Sequence, residues 1–200
     1  MPSFHDFRFL STDGKHNVFA RECTPDGEVR AVLQIAHGVA EHIYRYAPFM
    51  EFLAENGFVV VANDHLGHGK TAENEQELCF FAEKDGWNDV VSDMDTLHKL
   101  TAAKYPGVPY FLFGHSMGSF LTRTYIIDHP EGLKGVVISG TGQNPGAVIA
   151  AGKLMAKLEM IDNGPMYHSP TLDKLAFGSY NKKYDLSLIH ISEPTRHAQI

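Results

Sequence analysis

The stretch of residues 114–118, with the sequence GHSMG, constrains the fold of this chain more than any other. It follows the apolar run 110–113 and precedes residues 119–128, whose sequence predicts a helix. A Gly-x-Ser-x-Gly turn between a buried strand and a helix is typical of a nucleophile elbow, in which the serine occupies a strained turn and exposes its hydroxyl. The five residues alone fit an ordinary strand-to-helix turn equally well. The strand before them and the helix after them favour a nucleophile at Ser116.

The remaining elements predict an α/β fold. Residues 4–35 indicate three strands, and Asp13-Gly14 offers a hairpin turn between the first two. Helices and strands then alternate, with helices predicted at 46–56, 89–104 and 147–159 and strands at 58–62 and 135–139. This order predicts a mostly parallel sheet with N-terminal antiparallel strands and helices on both faces.

Polar residues follow three of the predicted strands. His37 and Gly38 follow the run 31–36, Asp64 follows the second parallel strand, and Ser116 follows the third. Reactive groups in such sheets gather beyond the carboxyl ends of the strands, which share one edge. We therefore expect these residues to contribute to a common site.

The composition excludes several classes of function. The net charge of −7 argues against a nucleic-acid-binding protein, which needs a basic surface. Cys23 and Cys79 show no motif spacing, so neither a disulfide framework nor a zinc site is expected. The sequence has no signal-peptide pattern and no apolar run that could span a bilayer. A cytoplasmic protein without stable membrane insertion is therefore expected.

Four stretches in combination resemble the α/β-hydrolase superfamily. Within it, the chain is most similar to monoacylglycerol lipases and bacterial lysophospholipases, a group also described as serine aminopeptidase-like. The resemblance covers roughly the first 185 residues. The stretches are residues 37–42 (HGVAEH) with Arg45 and Tyr46, residues 64–69 (DHLGHG), residues 114–118 and residues 139–141 (SGT).

The resemblance implies a cofactor-independent carboxylic ester hydrolase that acts on monoacylglycerol- or lysophospholipid-like esters. Ser116 would attack the ester carbonyl and form an acyl-enzyme. The backbone N–H groups of Val39 and Met117 would form the oxyanion hole. For Glu41 and Arg45, which would support the loop of that hole, an exposed surface ion pair is the alternative. The full set of supporting positions is His37, Gly38, Glu41, Arg45, Gly114, His115 and Gly118.

The motifs also contain five histidines, which are His37, His42, His65, His68 and His115. The spacing of His65 and His68 is not that of a usual zinc pair, and no carboxylate cluster accompanies them, so no metal site is expected. His115 is expected to pack within the elbow rather than to act as the catalytic base, because adjacent side chains on a tight turn point in different directions.

The catalytic acid and base are expected to be absent from this chain. The family places them downstream of the nucleophile in the order Ser, Asp, His, each after a later strand. Asp128 and His129 lie at the far end of the helix that follows Ser116, and later candidates fall in a helical segment or beyond it. The chain itself is therefore expected to be nearly inactive.

Three parts of the chain are expected to differ in origin or role. Residues 1–140 are predicted to form the N-terminal part of the hydrolase core. Residues 141–185 are predicted to begin a helical cap over the strand ends, and the native sequence is expected to be truncated within it. Residues 186–196, LSLIHISEPTR, match a translated sequencing adapter, so residues 186–200 are expected to be a non-native tail.

Three alternatives to an ester hydrolase remain open on the residues alone. A peptidase that removes N-terminal residues and a haloperoxidase-like hydrolase would use the same elbow chemistry. A non-catalytic binding module would keep the fold without the reaction. The sequence indicates neither the acyl-chain preference nor the oligomeric state.

Overall fold

The computed structural model describes residues 1–178, which belong to two compact units, Met1–Thr141 and a second unit that begins at Gly142. In the first unit, 3-10 turns follow β3 and β4 at Ile43–Tyr46 and Glu75–Glu77. Its strands and α-helices are β1 (Ser3–Leu10), β2 (Asn17–Thr24), β3 (Ala31–Ala36), α1 (Ala47–Glu55), β4 (Phe58–Asn63), α2 (Gly86–Lys104), β5 (Tyr110–His115), α3 (Met117–Asp128) and β6 (Leu133–Ser139).

The strands form one mixed sheet with the order β1-β2-β4-β3-β5-β6. Strand β2 pairs in antiparallel fashion with β1 and β4, whereas β4, β3, β5 and β6 are parallel. The predicted arrangement of antiparallel strands followed by a parallel sheet is confirmed. Ala36 at the end of β3 pairs with Gly114 in β5, so the residues that follow these two strands lie side by side.

The centre of the sheet is buried on both faces, as strand β3 shows. Every residue of β3 is buried, as expected for a largely apolar parallel strand. Leu33 and Ile35 pack in the cluster that contains Met50 of α1, while Val32, on the opposite face, packs in the cluster that contains Leu97 of α2. Helices therefore cover both faces, because alternate residues of a strand point to opposite sides.

Helix α1 buries only part of the apolar spacing in its sequence, from which Leu53 packs against the core. Phe49, Phe52 and Leu53 show helical spacing, but Phe52 is 58% exposed and the buried residues are Met50 and Ala54. Met50 and Ala54 are one turn apart and face the core. Because each residue advances about 100° around a helix, Phe52 lies on the opposite side from both.

The described part of the second unit contains two helices, α4 (Gly146–Asn163) and α5 (Pro170–Phe177). Helix α4 extends the predicted helix at both ends. Helix α5 begins at Ser169-Pro170, where the Ser169 hydroxyl accepts a hydrogen bond from the Leu172 N–H over 3.0 Å. The cap remains a prediction, and the adapter-like residues 186–200 lie outside the described residues. Along residues 1–178, no helix is both long and apolar enough to cross a lipid bilayer.

Candidate active site

Ser116 occupies a strained turn between β5 and α3. Its backbone has φ 51° and ψ −116°, and positive φ is unfavourable for a residue with a side chain. The Ser116 N–H donates to the Ser139 carbonyl over 2.9 Å. The Ser116 carbonyl accepts from both the N–H and the hydroxyl of Ser119, over 2.9 and 2.6 Å. Hydrogen bonds from β6 and α3 thus hold the strained residue in place.

The two elbow glycines are required by packing. A Cβ atom on Gly114 would overlap the Thr122 hydroxyl and the Gly118 carbonyl. A Cβ atom on Gly118 would overlap the carbonyl of Ala36, at the end of β3. Helix α3 therefore approaches the sheet closely enough to place Ser116 beside the loop that follows β3.

Gly38 brings that loop into contact with the elbow. A Cβ atom on Gly38 would lie 3.2 Å from the Cβ of Ser116 and 2.8 Å from the Glu41 carboxylate. The backbone N–H groups of Val39 and Met117 make no hydrogen bond to any other described residue. Met117 is also the first residue of α3, where the helix dipole is positive. Met117 follows Ser116 in the sequence, and Val39 follows Gly38, which packs against Ser116. The described site thus offers two backbone N–H donors that have no other hydrogen-bond partner.

Glu41 holds the start of this loop. Its Oε1 accepts hydrogen bonds from the Gly38 N–H and, over 2.7 Å, from the Tyr46 hydroxyl. Arg45 Nη1 lies 3.4 Å from the other carboxylate oxygen of Glu41. The Glu41 side chain is only 9% exposed, whereas the Arg45 side chain is 52% exposed, so one partner of the pair is buried and the other reaches the surface. Burial and the Glu41 charge raise the pKa of Tyr46, which keeps its hydroxyl protonated as a donor.

The ring of His37 has a defined hydrogen bond at each nitrogen. Nε2 lies 3.0 Å from the backbone nitrogen of His65, which can only donate, so Nε2 accepts. Nδ1 lies 2.7 Å from the Gly38 carbonyl oxygen, which can only accept, so Nδ1 carries the proton. Burial, together with the rings of His65 and His68, lowers the pKa of His37 well below its usual value. His37 is therefore neutral in the Nδ1–H form.

Within residues 1–178, the other histidines of the motifs make no hydrogen bond to the Ser116 hydroxyl. His115 Nδ1 lies 3.3 Å from the Ser139 hydroxyl. His65 is fully buried, and burial lowers its pKa to about 3. His42 precedes the 3-10 turn after β3. Within residues 1–178, the Ser116 side chain has no hydrogen-bond partner, and no group of three or more His, Cys, Asp or Glu side chains could hold a metal ion.

The remaining acid and base candidates of the first unit lie at the wrong end of α3. Asp128 and His129 are at its C-terminus, and His129 Nδ1 lies 3.7 Å from a carboxylate oxygen of Asp95. Ser116 is at the N-terminus of the same 12-residue helix. A helix of that length spans about 18 Å, so neither residue reaches the Ser116 hydroxyl.

The specific contacts of two site residues, Tyr46 and Asp64, were not predicted from the sequence. Tyr46 matched the family motif, but its bond to Glu41 depends on how the chain turns after β3. Asp64 was placed at a strand end without a role, and its carboxylate accepts from the N–H groups of Ile43 and Lys70, each over 2.8 Å. In the sequence, the available signal was an aspartate that follows an apolar strand and precedes a glycine-rich turn.

The sheet and the elbow define an α/β-hydrolase fold, and comparison with solved structures agrees. A highly thermostable carboxyl esterase from Bacillus coagulans, in complex with glycerol, is 36% identical with a TM-score of 0.76, over 86% of this chain and 56% of its own. A lipase in an open form is 28% identical with a TM-score of 0.78, over 92% and 60%. The predicted fold class is confirmed.

The chain belongs to the serine aminopeptidase S33 family, whose model matches residues 27–167. The mouse monoglyceride lipase is 32% identical over 129 residues, which are 64% of this chain and 40% of that protein. The monoacylglycerol lipase of Mycolicibacterium smegmatis is 32% identical over 140 residues, 68% of this chain and 48% of that protein. The resemblance to monoacylglycerol lipases is confirmed. The chain spans about half the length of these curated relatives.

Proposed function

We propose that the full-length protein carrying this chain is a serine hydrolase that cleaves monoacylglycerol- or lysophospholipid-like esters. The observation that carries the proposal is the contact between the Gly38 backbone and Ser116, a strained serine at a helix N-terminus. This contact sets a nucleophile next to a loop with an uncommitted N–H group at Val39. Acyl transfer needs these two features close together.

In the proposed mechanism, the Ser116 oxygen attacks the ester carbonyl, and the alcohol leaves to give an acyl-enzyme. The carbonyl oxygen becomes negatively charged in the tetrahedral intermediate. The N–H groups of Val39 and Met117 would donate to it, and the positive end of the α3 dipole would add to this stabilisation. Loss of one such donor typically costs about 3 kcal/mol of transition-state stabilisation.

Ser116 needs a base to take its proton, and we propose that the full-length protein supplies this base and its orienting acid outside residues 1–200. The geometry of His115 and His129 supports the proposal, since neither contacts the Ser116 hydroxyl. We expect residues 1–200 alone to hydrolyse a p-nitrophenyl ester far more slowly than the full-length protein. Fast hydrolysis by residues 1–200, abolished by Ser116→Ala, would show that the chain contains its own base.

The relatives support the proposed substrate class. Proteins named as monoglyceride lipases and a carboxyl esterase in complex with glycerol support a glycerol-based ester. The family is also described as serine aminopeptidase, which makes a peptidase that removes N-terminal residues the second candidate. A haloperoxidase-like reaction would use the same elbow.

A substrate panel with a matched pair of variants tests the proposal. We expect the full-length protein to hydrolyse a monoacylglycerol or a lysophospholipid faster than an aminoacyl amide. Ser116→Ala should lower kcat by about 10⁴-fold or more, whereas Ser3→Ala, in the exposed strand β1, should leave it unchanged. Preference for the amide would favour the peptidase. Unchanged turnover in Ser116→Ala would exclude Ser116 as the nucleophile.

A further inference from the structure

We propose that His37 is a positioning residue that sets the direction of the Val39 N–H group through the carbonyl of Gly38. The inference rests on the proposed function, because this N–H group acts as an oxyanion donor only if Ser116 attacks a carbonyl. It assigns to the His37 side chain a specific task within that site.

The geometry of the peptide unit connects His37 to Val39. The carbonyl of Gly38 and the N–H of Val39 belong to one planar peptide, in which the two groups point in opposite directions. A hydrogen bond that holds the carbonyl therefore also fixes the direction of the N–H. His37 Nδ1 donates to this carbonyl over 2.7 Å, and the Val39 N–H remains uncommitted within residues 1–178.

The other side of the His37 ring is anchored on the turn that follows β4. Its Nε2 accepts from the His65 N–H over 3.0 Å. The ring is fully buried, with its centroid 4.2 Å from that of His65 and 5.2 Å from that of His68. Because both nitrogens are bonded and the ring is enclosed by its neighbours, His37 acts as a rigid link between the turn and the loop after β3.

The turn itself is fixed by Asp64, which lies next to His65 and is completely buried. One carboxylate oxygen of Asp64 accepts from the Ile43 N–H, and the other accepts from the Lys70 N–H within the turn. A Cβ atom on Gly69 would overlap this carboxylate, so the turn wraps closely around it. The turn after β4 thus holds the loop after β3 at two points, Gly38 through His37 and Ile43 through Asp64.

Glu41 and His37 hold different peptide units. Glu41 accepts from the N–H of Gly38, which belongs to the peptide before Gly38. His37 donates to the carbonyl of Gly38, which belongs to the peptide that carries the Val39 N–H. Glycine at position 38 allows rotation between these two peptides. The His37 bond is therefore the side-chain contact that orients the Val39 donor directly.

Two variants of the full-length protein test the hydrogen bonds of the two His37 nitrogens separately. Asparagine places an amide near the position of Nδ1, so His37→Asn can keep the donor to Gly38. Glutamine reaches the position of Nε2, so His37→Gln can keep the acceptor for His65. We expect His37→Gln to lower kcat for the ester substrate about tenfold or more, approaching the 10²–10³-fold loss seen when an oxyanion donor is removed. We expect His37→Asn to retain most of kcat.

The comparison of kcat with KM distinguishes positioning from a structural role. A positioning role predicts that KM stays near the wild-type value in both variants, because the oxyanion forms only in the transition state. Equal losses of kcat in the two variants, or no loss in either, would overturn the inference while Ser116-dependent turnover kept the proposed function intact. Turnover that survived Ser116→Ala would instead overturn the proposed function and the inference together.

The tautomer of His37 provides a test that does not depend on activity or on the folding of variants. In ¹⁵N NMR spectra of the full-length wild-type protein, His37 should show a protonated Nδ1 and an unprotonated Nε2 at neutral pH. A protonated Nε2 would overturn the inference, because it could not accept from His65 and would leave Nδ1 without the proton that holds Gly38.

Discussion

Replacement of Gly118 by alanine should destabilise the protein by separating α3 from the end of β3. The added Cβ would overlap the carbonyl of Ala36 and lie 2.7 Å from the carbonyl oxygen of His37. Both obstructing atoms belong to the backbone next to a fully buried strand, so they cannot rotate away as a flexible side chain could. Overpacking costs about 1–3 kcal/mol, and we expect the upper end of that range here.

Thermal unfolding followed by circular dichroism measures this effect in the full-length protein. In a protein of about 300 residues, with an unfolding entropy of about 2.1 cal/mol/K per residue, a loss of about 3 kcal/mol corresponds to a decrease in Tm of about 5 °C. Gly27→Ala is the matched control, because no atom lies within 4 Å of its added Cβ and its φ is not in the left-handed region. The same Tm in Gly118→Ala and Gly27→Ala would refute the close approach of α3 to the sheet.

Three further predictions concern stability, the oxyanion loop and solubility. Burial raises the pKa of Asp93 from 3.8 to about 6, so the stabilising contribution of protonated Asp93 is fully present below about pH 4 and is lost as the pH rises through about 6; in urea unfolding, Asp93→Asn should lack this part of the pH dependence. Glu41→Ala should lower kcat more than Glu41→Gln, which keeps an acceptor for the Gly38 N–H, and equal values would contradict this. Residues 1–200 expressed alone should be poorly soluble, since Val137 and Ile138 are 51% and 37% exposed on β6, the edge of the described sheet; a monomeric preparation that melts cooperatively would contradict this.

The features predicted correctly are those that local patterns encode. The apolar run before Gly114 and the helical pattern after Ser116 indicated the strand and helix that the structure contains. Strand β3 could be assigned because six consecutive residues without a charge fit a strand buried on both faces. The common edge of the sheet followed from the rule for parallel strands, and the pairing of Ala36 with Gly114 agrees with it.

The features that were missed depend on contacts between distant residues. The apolar residues of α1 did not reveal that Met50 and Ala54, rather than Phe52, would face the core, because the rotation of a helix is set by what it packs against. The burial of Glu41 likewise depends on Tyr46 and on the turn of the loop. The tautomer of His37 is determined by a carbonyl on one side and by the His65 N–H, 28 positions away in sequence, on the other.

Labelling of the full-length protein with a fluorophosphonate probe, followed by peptide mass spectrometry of the modified residue, tests most directly whether Ser116 is the nucleophile. Such probes react with a serine that is activated as a nucleophile. We expect one modified site at Ser116 and no labelling of Ser116→Ala. Absence of labelling in the wild-type protein would favour a non-catalytic binding module, and labelling at another serine would contradict the assignment of Ser116 as the nucleophile.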